Sequence, residues 1–240
     1  MNKTQTKSHE FISDFEKKIM SPMRRGRFLK YLGASTAMSA IVIAGCDDDD
    51  DASSMNTAAV DLGSGDIGIL NYAYLLEQLE AAFYDMAVSM PYSGMTSAET
   101  SILTDIRDHE KAHRDFFKAA LGSSAITTVE FDFTSIDFAS RASVLGTAKV
   151  FEDLGVSAYN GAGKLLIKGE YLLLAGKIVS VEARHASAIR DLLNPFSADY
   201  AGDDVVTVAT GLDVAKNPSE VLSSAKGFVK NTINFDKLPS

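Results

Sequence analysis

The sequence predicts an all-α fold, a four-helix bundle with one long crossover and a C-terminal extension. Three observations predict it. Between residues 66 and 194, four long segments repeat their apolar side chains at helical spacing. The first and second segments, and the third and fourth, are joined by short links, whereas residues 123–138 separate the two pairs. On the second and fourth stripes, a Glu and a His interrupt the apolar residues at the same spacing. Composition sets outer bounds. With 240 residues, 46% hydrophobic and 23% charged, the chain is neither disordered nor collagen-like and can bury a sizeable core. A net charge of -9 argues against broad nucleic-acid binding and fits a cation or a basic partner. The single cysteine, Cys46, allows no internal disulfide and no thiolate zinc cluster, so any metal must use Glu, Asp and His.

Residues 1–45 read as a leader. Met23-Arg24-Arg25-Gly26-Arg27-Phe28-Leu29-Lys30 precedes an apolar run from Tyr31 to Gly45, which ends Ile43-Ala44-Gly45-Cys46. The run is shorter than the roughly 20 apolar residues that span a bilayer, and it is basic on its N-terminal side, which favours a signal segment over a permanent membrane helix. Ile43-Ala44-Gly45-Cys46 resembles a bacterial lipobox. That resemblance implies lipid attachment at Cys46 and a mature protein anchored in the membrane of the cell envelope. A buried free cysteine is the alternative, although its place at the end of an apolar run argues against it. Arg24-Arg25 with Phe28-Leu29-Lys30 resembles a twin-arginine export signal. Gly26 and Arg27 put two residues between the pair and Phe28 where the family pattern has one, so general secretion stays open. Five aspartates, Asp47 to Asp51, then begin an acidic linker over 46–64. Removal of residues 1–45 leaves 15 Lys and Arg against 29 Asp and Glu, a net charge near -14.

The first helix is expected from Asp66 to about Ser89, before Pro91 and Gly94. Thr96-Ser97-Ala98-Glu99 reads as a capping box that opens the second helix, which runs to Leu121 before Gly122. In the crossover, Val129, Phe131 and Phe133 alternate with Glu130 and Asp132, the pattern of an extended segment packed along the bundle. The third helix is expected from about Ala139 to Gly161 or slightly beyond, with Gly161 and Gly163 loosening its end. The fourth runs from Gly169 to Asn194, before Pro195. Residues 195–240 form an extension packed on the bundle, with one helix from Pro218 to about Lys230.

The chemistry lies on the apolar stripes. The second helix presents Ile102, Ile106, Glu110, His113 and Phe117, and the fourth presents Ile178, Glu182, His185, Ile189 and Leu192. Both therefore carry Glu-x-x-His, and this spacing puts two ligand side chains about one turn apart on one face. An internal repeat supplies the other two helices. Leu76-Glu77-Gln78-Leu79 through Tyr84 aligns with Phe151-Glu152-Asp153-Leu154 through Tyr159. The repeat favours Glu77 over Glu80, whose counterpart is Gly155. Glu80 stays open as a substitute or additional ligand. His109 points about 100 degrees away from Glu110 and reads as partly exposed or supporting the ligands. Tyr84 and Tyr159 read as core residues with satisfied hydroxyls rather than redox groups. A bundle held by buried salt bridges is disfavoured by charge. Arg107, Lys111, Lys149 and Arg184 are the cations near these glutamates in sequence, each on a different face. Unpaired buried carboxylates cost several kcal/mol each, and two divalent cations would neutralise four of them.

These residues resemble the ferritin-like superfamily, in particular its exported and desiccation-related branch, over roughly Asp66 to Asn194. The resemblance implies Glu77, Glu110, His113, Glu152, Glu182 and His185 as ligands of two divalent metal ions, with Glu110 and Glu182 bridging. It implies iron, or iron with manganese, and oxygen or peroxide as reactant. An oxidoreductase of peroxidase or ferroxidase type is then expected, acting on peroxide, ferrous iron or an organic molecule. The different expectation is a non-enzymatic stress or desiccation protein of the envelope, whose metal site is structural or vestigial. Self-association stays open, but a lipid anchor, an acidic tether and a tail over 195–240 are awkward for a closed storage cage.

Overall fold

Four long helices form where the apolar spacing places them: α1 (Gly65–Ser89), α2 (Ser97–Leu121), α3 (Arg141–Gly163) and α4 (Gly169–Leu193). They are seen in a computed structural model that describes residues 59–240. The expected leader, the arginine pair, Cys46 and the aspartate run lie outside the described residues. The Thr96 capping box is present: the Thr96 hydroxyl accepts from the Glu99 amide at 3.2 Å, and the Glu99 carboxylate accepts from the Thr96 amide at 2.8 Å. α3 starts two residues later than Ala139, because Ser140 is its N-cap and accepts from the Ser143 amide. Antiparallel α1 and α2 pack as one pair and α3 and α4 as the other, with α1 against α3 and α2 against α4 across the middle. Among the described residues no helix is long and apolar enough to cross a membrane.

The long crossover follows the bundle rather than leaving it. After a 3₁₀ turn at Gly122–Ser124, Val129, Phe133 and Ile136 are buried. The Val129 amide donates to Gln78 Oε1 at 3.0 Å, which ties the crossover to α1. Phe131 bridges Val229 of the tail, so the segment is extended with little regular pairing. Covered by the crossover and the tail, α1 is buried on most of its circumference, unlike an ordinary surface helix.

Two short pairings and one helix organise the tail. β1 (Val60–Asp61) pairs in parallel with β4 (Ile233–Asn234), and β2 (Val206–Thr207) pairs antiparallel with β3 (Leu212–Asp213). Val60 and Leu62 are buried, so residues 60–62 belong to the folded body and not to the acidic linker expected to reach 64. α5 (Pro218–Ala225) starts at the expected proline but stops well before Lys230. It tightens into a 3₁₀ turn at Lys226–Phe228, which sets the Phe228 ring perpendicular to Phe151 at 4.9 Å. The Phe228 carbonyl and the Lys230 amide then bond to the crossover at Asp132 and Glu130. These partners are incompatible with further helix.

Gly161 has a different role from the one expected. It lies inside α3, and a Cβ there would sit 1.7 Å from the Lys216 carbonyl oxygen. The glycine lets the tail backbone cross directly over α3, where the Lys216 amide donates to the Ser157 carbonyl at 3.0 Å. Nearby, the buried Arg190 guanidinium pairs with Asp153 of α3 and with Asp199 and Asp204 of the tail. That fork joins the two helices of one half to the extension.

Candidate metal centre

Each long helix contributes one Glu to a cluster in the middle of the bundle, and α2 and α4 add one His apiece. Glu77, Glu110, Glu152 and Glu182 have no exposed surface, and His185 is also buried. The side chain of His113 is 13% exposed, so its side of the cluster is the one nearest solvent. The ligand atoms fall into two groups, each within 4.8 Å of one another: Glu77, Glu110, His113 and Glu182, and Glu110, Glu152, Glu182 and His185. Glu110 and Glu182 belong to both. The structure thus brings together all six residues singled out in the sequence.

His113 Nδ1 lies 2.8 Å from Glu182 Oε1, 3.4 Å from Glu77 Oε2 and 3.5 Å from Glu110 Oε2. His185 Nδ1 lies 2.7 Å from Glu110 Oε1, 3.5 Å from Glu152 Oε2 and 3.6 Å from Glu182 Oε2. These approaches are close, but the atoms are not aligned as hydrogen bonds. Both oxygens of Glu110 and Glu182, one oxygen each of Glu77 and Glu152, and Nδ1 of both histidines are buried without a hydrogen-bond partner. Buried polar atoms are ordinarily satisfied, so a set that converges on the same space fits divalent cations. Among the described residues no Lys or Arg pairs with any of these glutamates. Arg107, Lys111 and Lys149 pair with aspartates instead.

The remaining oxygens of the outer glutamates are held by tyrosines from the opposite half. Tyr84 of α1 donates to Glu152 Oε1 at 2.6 Å, and Tyr159 of α3 donates to Glu77 Oε1. The repeat therefore closes on itself, each tyrosine fixing the other half's carboxylate. Sequence reasoning placed these tyrosines in the core but missed their partners. The equal Glu-to-Tyr spacing in both halves was the signal for the reciprocal contact.

Without a cation the cluster is electrostatically divided. Burial pushes the Glu77 carboxyl well up, and Glu182 and Glu110 add to this. Glu152 is pushed up to about 8 by burial, with His185 opposing. Burial also acts to raise Glu110, but His113 and His185 outweigh it and hold that carboxyl at about 2. Burial acts to lower both imidazoles, while the carboxylates around them raise each to about 12. Glu80 lies outside both ligand groups, buried, with its carboxyl raised by burial and by the neighbouring glutamates. His109 is exposed, yet its Nδ1 reaches within 2.9 Å of His185 Nε2.

An antiparallel bundle with paired Glu-x-x-His helices, reciprocal tyrosines and two buried groups sharing two carboxylates defines an all-α protein with a candidate carboxylate and histidine metal centre. A family model described as a ferritin-like domain matches residues 65–195, more than half of the chain, and the protein belongs to that family. Comparison with the curated proteins gives no match.

Proposed function

We propose that the buried cluster holds two divalent metal ions, iron or iron with manganese, and that the protein carries out oxygen or peroxide chemistry in stress defence at the cell envelope. The observation that carries this reading is the sharing of Glu110 and Glu182 between two buried four-residue groups. Glu77 and His113 would complete one site, and Glu152 and His185 the other. Oxygen and imidazole donors suit iron and manganese. When bound, such a pair supplies Lewis acidity and one-electron redox capacity at each ion.

The protein's own residues bind, orient and exclude water. Four glutamates carry the charge of two divalent cations, so the loaded cluster is balanced in an apolar surrounding. Tyr84 and Tyr159 each hold one carboxylate oxygen and leave the other directed inward. Fully buried carboxylates keep bulk water away, and a small reactant reaches the centre most directly from the His113 side.

Elemental analysis of protein purified without chelator and reloaded with Fe(II) tests the centre, with about two metal ions per chain expected. Less than about half an ion per chain would sink it. Oxygen and peroxide consumption by the loaded protein tests the chemistry, and two bound ions with neither oxidant consumed would favour a non-enzymatic role. The proposed anchor at Cys46 is tested by Cys46→Ser. The variant should leave the membrane fraction, and unchanged partitioning refutes lipidation there.

A further inference from the structure

The two imidazole ligands are not equally supported. His185 directs Nδ1 at Glu110, Glu152 and Glu182, and its other ring nitrogen, Nε2, lies 2.9 Å from Nδ1 of His109. The two ring planes differ by only 9°. A nitrogen that offers its lone pair to a cation carries no proton, so the proton of neutral His185 sits on Nε2. At 2.9 Å the facing atom must then accept, which puts the His109 proton on its own Nε2. Among the described residues His113 has no matching partner for Nε2.

We propose that His109 is a positioning residue for His185: it accepts the Nε2 proton, fixes the ring's tautomer and angle, and makes one of the two metal sites the better organised. The role rests on the reading of the cluster as a metal centre. Ligand histidines are commonly held in this way by a carboxylate or a backbone carbonyl. Here an exposed imidazole takes that place, and it supports the group containing Glu152 and His185 but not the one containing Glu77 and His113.

Titration of the full chain with cobalt(II), followed by calorimetry and by the visible spectrum, tests the assignment. Wild-type protein should bind two ions. His109→Ala should weaken one site by about tenfold to a hundredfold and leave the other unchanged, the range typical for loss of such partners. His109→Gln, whose amide oxygen accepts from Nε2–H, should restore most of the loss. A general packing defect would instead weaken both sites and would not be rescued. Metal-free protein gives a second readout, because nitrogen-15 coupling across the His185 Nε2–H···Nδ1 His109 bond is expected in wild type. Unchanged affinities in His109→Ala, or absence of that coupling, overturns the proposal. If wild-type protein binds no cobalt, the metal reading falls and this role falls with it, while the coupling still reports whether the two rings are bonded.

Discussion

Removing metal should reverse the sign of the protein's pH dependence. In metal-free protein the Glu152 carboxyl is pushed up to about 8 by burial, and Glu77 and Glu80 are also raised. The folded chain then keeps protons that the unfolded chain releases above its ordinary value of 4.5. Stability is therefore lost as pH rises from that value through the folded one, and regained on acidification. One such proton changes stability by about 1.4 kcal/mol per pH unit, so Glu152 alone adds on the order of 3 kcal/mol between pH 8 and pH 5. His113 and His185 act in the same direction: held at about 12, they contribute most below their unfolded value of 6.5 and progressively less above it. Glu110, held at about 2, loses its contribution only below 4.5, outside this window. Metal-loaded protein should behave oppositely, because protons compete with the ions for the same oxygens and nitrogens. Urea unfolding from pH 8 to pH 5, with and without chelator, measures both slopes. Glu152→Gln separates the site from general relief of surface charge, since it removes one proton and should flatten the metal-free slope by about 1.4 kcal/mol per unit. Metal-free stability that is flat or falls toward pH 5, or a slope untouched by Glu152→Gln, refutes the reasoning.

Glu110→Gln and Glu182→Gln each remove a ligand from both groups, so elemental analysis should show less than about one metal ion per chain. Glu77→Gln and Glu152→Gln each touch one group and should leave about one ion bound. Tyr84→Phe and Tyr159→Phe each strand a buried carboxylate oxygen and should lower unfolding free energy by about 1–3 kcal/mol, by similar amounts in the two halves. Gly161→Ala puts a Cβ against the Lys216 carbonyl and should cost about 1–3 kcal/mol, with protease cleavage of the tail rising in parallel.

Much of the bundle was legible because its signals are periodic. Glu110, His113, Glu182 and His185 stood out as polar residues on apolar stripes, and such a stripe fixes direction as well as helical state. The repeat located Glu77 and Glu152. What it could not supply was pairing across the two halves, since equal spacing identifies equivalent positions but not which positions meet. The tyrosine contacts were missed for that reason. The role of Gly161 is not legible in the sequence, because a glycine near a helix end looks the same whether it loosens the helix or admits another backbone. Here the deciding atom is the carbonyl of Lys216, far along the chain. α5 is shorter than local propensity predicts, because propensity does not register the demand of the crossover for the Phe228 carbonyl and the Lys230 amide. The helical wheel offers His109 as partly exposed or supporting the ligands but does not name His185 as its partner, because it places the Cα direction and not the reach of an imidazole.

The one broken position of the repeat follows from space and charge. Glu80 corresponds to Gly155, and a Cβ on Gly155 would lie 3.0 Å from Glu80 Oε1. The carboxyl of one half therefore occupies the volume that a side chain in the other half would need. A symmetric pair of glutamates at these positions would also bury a further charge with no cation to meet it. In the proposed centre four carboxylates would balance two divalent ions, leaving no excess positive charge to keep a fifth ionised. Glu80 lies buried beside these residues, its carboxyl raised by burial and by Glu182, Glu110, Glu152 and Glu77. With Glu80 on α1 and His109 against α4, a bundle whose backbone halves are equivalent acquires two inequivalent sides around one shared pair of glutamates.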